Sequence, residues 1–479
     1  MSEYKPTIGL EIHAELKTKS KMFCGCKNDP EEKSPNVNVC PVCMGHPGTL
    51  PVINKEAVRS VLRVGVSAGS KLANFTEFDR KNYFYPDIPK GYQISQYKFP
   101  LVSGGSIAGV KLTRIHLEED TARSLHENTM DYEGAPRNPK ASLIDFNRAG
   151  VPLMELVTEP VMHGSVEAMN FAKEFQLLLQ YLGVSLANME KGEMRVEVNI
   201  SVSDSDTFGT KVEVKNINSF RAVGKAIDFE FERQKALLLK GERVVQETRG
   251  WDENKGVTFS QRTKESAHDY RYFPDPDLPK ILLEEIPEFT FEKLKASLPE
   301  LPWEKRGRLT KDFGLKPLDV ETYINNIEAG KFFESTELKG ESVKLASNYI
   351  TSDIIGLSKN IGAEFSLGNI KTDSFVKLIK MIEGGKLSSR GAKDTLKIMF
   401  ENGGDPETIA NEKGLVQRSN VEEIKILAEN ILKNNPSVVE EYKGGKESLL
   451  QFFIGQGMKE TKGSVNPELL KQILLDLLK

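Results

Sequence analysis

The sequence predicts an α+β protein in which a mainly antiparallel sheet domain is followed by helices. Short segments that alternate apolar and polar residues fill the first part of the chain, and strand patterns largely vanish after the proline-punctuated stretch Asp275–Pro279. A single hydrophobic core stops growing near about 250–300 residues, whereas the chain has 479. We therefore predict a sheet domain at 1–290, an all-α helical domain at 291–405 and a small all-α tail domain at 406–479.

The clearest strand patterns of the sheet domain lie at Ile8–His13, Met194–Val202 and Val212–Lys215. Apolar residues stand at every second position in each segment, which is typical of antiparallel strands with one face on a core. Helices with an apolar stripe are expected to cover that face. They are predicted at Glu56–Ala68, Val166–Leu182 and Ala222–Leu239. In the tail domain, the apolar positions from Val421 to Leu432 recur at the spacing of an amphipathic helix.

Composition and charge are those of an ordinary soluble protein. Apolar residues make up 39% and charged residues 28% of the chain, and the formal net charge is −4. No apolar run is long enough to span a bilayer, and the N-terminal residues lack the basic and apolar regions of a secretory signal. We therefore expect a cytoplasmic protein without membrane contact. The net charge does not indicate a nucleic-acid-binding protein, but it is compatible with a local basic groove.

All four cysteines lie between 24 and 43, as Cys24-Gly-Cys26 and Cys40-Pro-Val-Cys43. Two close pairs separated by a polar loop can present four thiolates tetrahedrally to Zn²⁺, although the first spacing is shorter than the common C-x₂-C. Such a closed site is structural, because no coordination position remains for substrate. Free buried thiols, or a disulfide pair in an oxidising compartment, are the alternatives. We predict a zinc knuckle at 24–43, inserted into the sheet domain.

Glu11, His13 and Glu15 share the polar face of the first predicted strand, because the apolar residues between them face the core. Two carboxylates that flank an imidazole repel each other unless a cation joins them. Carboxylates with water and phosphate suit Mg²⁺. The alternative for this strand alone is a solvated face with ordinary charges. Of the three residues, Glu15 is the one expected to be only a solvated charge.

Other segments place further acids and bases on polar strand faces or directly beside them. They are Arg114, His116, Glu118, Glu119, Asp120, Glu155, Arg195, Glu197, Asn199, Lys211, Glu213 and Lys215. A sheet face with these acids and bases suits a nucleotide and its metal ions, because acids bind cations while Arg and Lys stabilise the transferred phosphoryl group. The P-loop motif, which binds ATP in many enzymes, does not occur in the sequence.

Two loops, Asp79–Asp87 and Asp269–Asp275, mix aromatic residues with bases next to a proline. Loops of this composition can stack a base or a ribose and bind phosphates. Packing of the aromatic rings at the base of each loop is the alternative for either one. The two loops are similar in kind.

These segments, taken in order, resemble the GatB subunit family of the tRNA-dependent amidotransferases. The stretches that carry the resemblance are Ile8–Leu16, Asp79–Pro86, Gly91–Gln96, His116–Asp120, Asp145–Leu153, Arg195–Ser201, Lys215–Phe220, Tyr270–Pro274, Gly445-Lys446, Gly455–Lys459, Lys462-Gly463 and Asn466-Pro467. They span essentially the whole chain. Many long motifs in one order make the resemblance far more specific than a single short pattern.

The resemblance implies a fold and an activity. The fold is a catalytic cradle with glutamine-synthetase-like sheet character, then a helical domain and a tail that binds the tRNA body. The activity is ligation. ATP and Mg²⁺ phosphorylate the side-chain carboxylate of Glu-tRNA(Gln) or Asp-tRNA(Asn), and ammonia then displaces the phosphate. A glutaminase partner, GatA, supplies that ammonia from glutamine, and a small partner, GatC, joins the two larger chains.

The resemblance also implies roles for individual residues. The Mg²⁺ site is expected at Glu11, His13, Glu119 and Glu155. Catalytic contacts are expected from the same residues with Arg195 and Glu197, and nucleotide or acyl contacts from Asn199, Lys215, Tyr83 and Arg271. Regular alternation in the strand before Asp120 favours Glu118 over Glu119 for the metal face. Members of the family vary in having the cysteines, so the zinc prediction rests on Cys24, Cys26, Cys40 and Cys43 themselves.

Two other functions compete with the amidotransferase. One is a non-catalytic, zinc-containing tRNA-binding module that positions substrate for a separate enzyme; it predicts no metal cluster on the sheet. The other is a stand-alone glutamine-synthetase-like ligase that acts on a free amino acid; it leaves the helical half without a purpose.

Overall fold

The computed structural model describes residues 3–125, 142–263, 270–417, 421–461 and 465–479. The chain forms two compact units, Met1–Pro302 and Trp303–Lys479. The first unit contains the sheets and the second is helical, which confirms the predicted α+β class. The domain boundaries at 290 and 405 remain predictions.

The first unit is built around one large sheet. The strands of this unit are β1 (Lys5–Glu15), β2 (Lys71–Leu72), β3 (Phe75–Thr76), β4 (Asp79–Asn82), β5 (Tyr92–Ser95), β6 (Val102–Ser103), β7 (Ser106–Ile107), β8 (Val110–Glu119), β9 (Arg123–Leu125), β10 (Leu143–Asp145), β11 (Pro152–Thr158), β12 (Met194–Ser203), β13 (Val212–Ile217), β14 (Glu247–Asp252), β15 (Val257–Thr263), β16 (Phe273–Pro274) and β17 (Ile281–Leu282). The large sheet has the order β15-β14-β13-β12-β1-β11-β8-β6-β2, and β7 pairs with β8. Its strands pair antiparallel, except that β13 and β14 are parallel.

Helices cover the apolar face of the large sheet. They are α1 (Lys55–Ser67), α2 (Ser165–Tyr181) and α3 (Phe220–Leu239), and the short α4 (Phe291–Ala296) packs on α1. The helices α2 and α3 pack on each other and on the central strands. The rings of Phe171 and Phe175 are fully buried in this layer. The Asn54 side chain accepts two backbone N–H groups at the start of α1, and that of Ser219 accepts one at the start of α3. The three helices predicted for this unit are confirmed to within two residues at either end.

Three short strands, β16-β4-β5, form a second and smaller sheet, here called the aromatic sheet. It brings together residues of the two aromatic loops, because β4 pairs with β16. Arg80 on β4 pairs with Asp275 and Asp277, each at 2.8 Å, and its guanidinium lies 4.2 Å from the ring centre of Tyr92. The remaining strand pairs of the unit are β9–β10 and β3–β17.

The second unit is helical. Its helices are α5 (Pro302–Phe313), α6 (Pro317–Asn325), α7 (Ile327–Ser335), α8 (Glu341–Asn348), α9 (Ile355–Asn360), α10 (Thr372–Glu383), α11 (Ser389–Asn402), α12 (Pro406–Glu412), α13 (Val421–Asn434), α14 (Pro436–Lys443), α15 (Leu450–Glu460) and α16 (Pro467–Leu478). A π-helical segment, Tyr349–Ile354, joins α8 to α9. The helices α13, α15 and α16 share a core around Ile431, Phe453 and Leu470. Within the described residues, no helix combines the length and apolar character of a bilayer-spanning segment.

We expect Phe175→Ala on α2 to destabilise the first unit by about 3–5 kcal/mol, because it leaves a cavity in a fully buried layer. The matched control is Val166→Ala on the same helix, since the Val166 side chain is 63% exposed; it should change stability by less than about 0.5 kcal/mol. Equilibrium urea unfolding followed by tryptophan fluorescence measures both. Equal losses in the two variants would contradict the placement of α2 on the sheet.

Candidate active site

A row of polar side chains crosses four neighbouring strands of the large sheet. Arg195 on β12 lies opposite His13 on β1, His13 lies opposite Glu155 on β11, and Glu155 lies opposite His116 on β8. Directly opposed residues of antiparallel strands point to the same face. The row therefore stands on the face that the helices leave uncovered, and it unites three residues of the predicted site with His116.

Glu155 is the centre of this row. Its Oε2 atom lies 3.3 Å from Nε2 of His13 and 3.3 Å from Nε2 of His116, and its Oε1 atom lies 3.3 Å from Arg114. Burial disfavours the Glu155 carboxylate, but His116 and His13 outweigh it and lower its pKa. Burial likewise disfavours protonated His13, but the hydrogen bond to Glu155 and the nearby carboxylates raise the pKa of His13 to about 9. The row is thus a set of paired charges.

A second row lies beside the first. Glu11 on β1 is opposite Glu197 on β12, and Lys215 on β13 reaches Glu197 at 2.8 Å and Glu213 at 3.6 Å. Burial and the charges of Glu155 and Glu197 raise the pKa of Glu11. Three acids around one lysine leave an excess of negative charge, which favours a bound cation.

Asn199 lies one step further along β12, opposite Gly9 on β1 and paired with Glu213 on β13. Its Oδ1 atom is buried and has no hydrogen-bond partner among the described residues. The side chain is on the same face as Glu197, as the alternation predicts, but the structure does not join it to the metal-type clusters.

The two neighbouring acids at the end of β8 point to opposite faces. Glu118 reaches the polar row: its Oε1 atom lies 3.6 Å from Nε2 of His13, and Oε2 accepts the Ser95 hydroxyl at 3.1 Å. Glu119 instead pairs with Lys90 and accepts the backbone N–H of Ile94 at 3.0 Å. The expectation that Glu119 joins Glu11, His13 and Glu155 is therefore corrected: alternation in a regular strand places Glu118 there.

Glu15 is not the solvated charge that the sequence suggested. Its side chain is buried at the end of β1, near Asp120 and between the guanidinium groups of Arg148 and Arg195. Burial and the neighbouring Asp120 raise its pKa. The charged groups that act on Glu15 belong to other segments of the chain, which no pattern within β1 reveals.

The aromatic sheet contributes a half-buried lysine to the site. The Lys81 ammonium lies 5.0 Å from the ring centre of Tyr270 and 5.8 Å from that of Tyr83. Burial disfavours its charge, but the carboxylates of Glu118 and Glu155 raise its pKa. Ser95 on β5 of the same sheet donates its hydroxyl to Glu118 at 3.1 Å, so the aromatic sheet is next to the candidate site.

The two predicted contacts of the aromatic loops have different surroundings. Tyr83 donates its hydroxyl to Gln93 at 3.1 Å and packs edge-on to Tyr85 and Tyr270. Arg271 has an exposed side chain, and its backbone carbonyl accepts the Asn82 amide at 2.8 Å. The structure thus places Tyr83 beside Lys81 and leaves the Arg271 side chain exposed.

Three groups of side chains on the polar face have ligand atoms close enough to share a metal ion. They are Glu11–His13–Glu155, His116–Glu118–Glu155 and Glu11–Glu197–Glu213, each with its ligand atoms within 4.8 Å of one another. The donor sets are dominated by carboxylate oxygens, which suit Mg²⁺ or Mn²⁺. The Nδ1 atom of His116 is buried and unpartnered among the described residues. The residues present therefore fit a divalent cation.

The four cysteines converge on one point. Each offers a sulfur within 4.8 Å of the other three, and the Sγ atoms of Cys40 and Cys43 are 3.8 Å apart. Zn–S bonds of about 2.3 Å in a tetrahedron give sulfur–sulfur edges of about 3.8 Å. The hydrogen bond from Cys24 lowers the pKa of Cys43. This geometry fits a tetrahedral metal and does not require a disulfide.

The loop between the cysteine pairs is anchored by a buried asparagine. The Oδ1 atom of Asn147 accepts the backbone N–H groups of Val37 at 2.9 Å and Asn38 at 2.8 Å, and its Nδ2 atom donates to the Ser34 carbonyl at 2.8 Å. Asn147 is fully buried. The cysteine loop is therefore fixed to the segment that precedes β11.

Comparison with known proteins agrees with this architecture. A family model described as the GatB/GatE catalytic domain matches residues 6–287, which contain both rows and the four cysteines. The chain belongs to the GatB/GatE family. A second model, described as the GatB domain, matches residues 331–478 within the helical unit.

Individual relatives match over nearly their whole length. The B subunit of the aspartyl/glutamyl-tRNA(Asn/Gln) amidotransferase from Thermoanaerobacter sp. (strain X514) is 44% identical over 482 residues, which cover 98% of each chain. The protein of the same name from Persephonella marina is 42% identical over 488 residues, which cover 100% of each chain. That from Crocosphaera subtropica is 42% identical over 493 residues, covering 100% of this chain and 98% of the relative.

The sequence patterns assigned no individual role to three residues of the site, Lys81, His116 and Asp120. Alternation in β8 already placed His116 and Glu118 on one face, and the direct match of Glu155 with His116 needed only the pairing of β8 with β11. Lys81 had a weaker signal, a base among aromatic residues in one of the two loops.

We expect Glu118→Gln to weaken Mn²⁺ binding by roughly tenfold or more, because the substitution removes a negative charge from the polar row. Glu119→Gln is the matched control and should bind Mn²⁺ within about twofold of the unchanged protein, since its side chain faces Lys90. Isothermal titration calorimetry of the folded protein measures both affinities. A loss in Glu119→Gln that equals or exceeds the loss in Glu118→Gln would refute this assignment of faces.

Proposed function

We propose that the chain is the GatB component of a tRNA-dependent amidotransferase, a glutamine-hydrolysing ligase. It uses ATP to phosphorylate the side-chain carboxylate of Glu-tRNA(Gln), Asp-tRNA(Asn) or both, and ammonia then forms the amide. The observation that carries the proposal is the row Arg195–His13–Glu155–His116 on the open face of the sheet, in a chain whose relatives carry the name of this component over their whole length.

The polar rows would bind Mg²⁺, with Glu11, His13, Glu118 and Glu155 as the ligands that the geometry favours. Bound Mg²⁺ neutralises the charge of the nucleotide phosphates and so lowers the barrier to phosphoryl transfer. The carboxylates of the polar rows would be the protein ligands of the bound cation. His116, which approaches Glu155 from the other side, orients that carboxylate.

The bases at the edges of the rows bind the phosphates. Arg195 lies at the β12 end of the first row, Lys215 at the β13 edge of the second, and Lys81 comes from the aromatic sheet. Arg and Lys at these positions stabilise charge that develops on the transferred group. The aromatic rings around Lys81 exclude water from this side, which protects the acyl phosphate from hydrolysis.

Zinc is proposed as a structural ion at Cys24, Cys26, Cys40 and Cys43. When bound, it crosslinks the two knuckles of the loop and supplies no open coordination position. The fit of the Cys40–Cys43 sulfur distance to a tetrahedral edge supports this proposal. The loop then presents a fixed surface to the segment around Asn147.

The partners follow from the reaction. Ammonia is proposed to come from a glutaminase partner, GatA, as the resemblance to the family implies. A small partner, GatC, is proposed to bind both chains. The tail around α13, α15 and α16 is proposed to bind the tRNA body. The substrate is an aminoacyl-tRNA made and used in translation, so we place the reaction in the cytoplasm.

A non-catalytic tRNA-binding module is not favoured. Such a module would have no need of buried acids grouped at metal-ligand distances on an open sheet face. The names of the relatives describe a component of an amidotransferase and not a separate binding protein.

We expect Glu11→Ala to lower Gln-tRNA(Gln) formation and ATP consumption by roughly 100-fold or more, because both metal-type groups on β1 lose a shared ligand. The assay uses the complex with GatA and GatC, γ-labelled ATP and Glu-tRNA(Gln). Glutaminase activity and the thermal midpoint serve as controls for folding. If ATP consumption and amide formation are untouched, the assignment of the polar rows fails.

We expect the purified chain to contain about one zinc ion and Cys40→Ser to lose it, because three sulfurs and a hydroxyl bind Zn²⁺ far more weakly than four thiolates. Lys33→Ala, an exposed residue of the same loop, is the matched control and should keep its zinc. Inductively coupled plasma mass spectrometry gives the metal content. An undiminished zinc content in Cys40→Ser would disprove the four-cysteine site.

A further inference from the structure

Asp120 follows directly after β8, where the polar face meets the segment before β11. Its carboxylate is 3% exposed. The Oδ2 atom accepts Nη2 of Arg195 at 2.9 Å and lies 3.7 Å from Nε of Arg148, while Oδ1 accepts the backbone N–H of Thr121 at 2.8 Å. Both oxygens are engaged, so the orientation of the carboxylate is fixed.

The backbone beneath Asp120 is held on both sides. Its N–H donates to the Val151 carbonyl at 2.8 Å, and its carbonyl accepts the N–H of Gly150 at 2.9 Å. Gly150 has φ +85°, and a side chain there would meet the Cβ atom of Cys43 at 3.5 Å. The carboxylate therefore projects from a turn with little freedom to shift.

The two arginines that meet Asp120 differ in what they have left to bind. Arg148 donates to the carbonyl groups of the two residues after Asp120, each at 3.0 Å, and its side chain is 18% exposed. Arg195 has its described hydrogen bond to Asp120 alone, and its side chain is 38% exposed. A guanidinium has five N–H donors, so Arg195 retains donors that can bind a ligand.

We propose that Asp120 is a positioning residue for the phosphoryl-transfer site: it holds the Arg195 guanidinium at the end of the His13–Glu155 row, with its remaining N–H groups directed to the phosphates. This inference rests on the proposed function. A long arginine side chain otherwise samples many rotamers, and a charge-assisted hydrogen bond from a fixed carboxylate selects one of them. Asp120 itself does not touch the substrate.

The experiment is a double-mutant cycle in the complex with GatA and GatC, with Asp120→Asn, Arg195→Ala and the double variant. The measured quantities are kcat and KM for ATP at saturating Glu-tRNA(Gln). We expect Asp120→Asn to lower kcat/KM for ATP by roughly tenfold. In the Arg195→Ala background the same change should cost less than about twofold, because its effect passes through Arg195.

Two further variants separate positioning from simple structural support. Arg148→Gln removes the other arginine next to Asp120 and should affect kcat/KM for ATP clearly less than Asp120→Asn. Asp120→Glu keeps the charge and should recover part of the activity; it replaces Asp120→Asn in the cycle if the thermal midpoint shows that the latter does not fold.

An equal loss from Asp120→Asn with and without Arg195 would overturn the proposal, as would an Arg148→Gln variant that is equally impaired. Failure of the proposed function would look different, because the unchanged complex would then form neither Gln-tRNA(Gln) nor Asn-tRNA(Asn) in the presence of ATP.

Discussion

The structure of the first unit depends on one constraint: several carboxylates are buried on one sheet face and must be neutralised. Moving a charge out of water is costly unless it is paired. Glu155 meets that constraint with two histidines at 3.3 Å, and Glu197 meets it with Lys215 at 2.8 Å. Around Glu11 there are fewer bases than acids, and the remaining negative charge favours a bound cation. The same electrostatics therefore governs both the folded state and the proposed chemistry.

Strand register gives these charges their positions. Side chains on a strand have a period of two, so a slip of one residue would move every polar residue of β1 into the core. The apolar partners Ile8, Leu10 and Ile12 are all buried at 1% exposure or less, and they pin the register from the opposite face. The helices α2 and α3, far from the chemistry in sequence, thereby keep His13 opposite Glu155.

Much of the site could be predicted from the sequence because alternation within a strand is local. It correctly placed Glu11 and His13, and Arg195 and Glu197, on one face each, and regular alternation in β8 favoured Glu118. For two residues, the structure differs from what was expected. Resemblance to the family pointed to Glu119. Glu119 is one position after Glu118 on the strand, so its side chain points to the opposite face and pairs with Lys90. Glu15 is buried, and the charged groups that act on it belong to other segments of the chain, so no pattern within β1 carries that information.

The segment before β11 is hydrogen-bonded both to the cysteine loop and to Asp120 at the end of the polar face. Asn147 fixes the backbone of the cysteine loop, and further along the same segment Gly150 accepts the N–H of Met22, just before Cys24, and donates to Asp120. The buried ammonium of Lys21 donates to the Phe146 carbonyl at 3.1 Å in the same segment and lies 4.0 Å from the Cys43 sulfur. The cysteine loop is hydrogen-bonded to this segment, and the segment is hydrogen-bonded to the backbone of Asp120, whose carboxylate meets Arg195. The cysteine loop is therefore connected to one end of the polar face through the backbone.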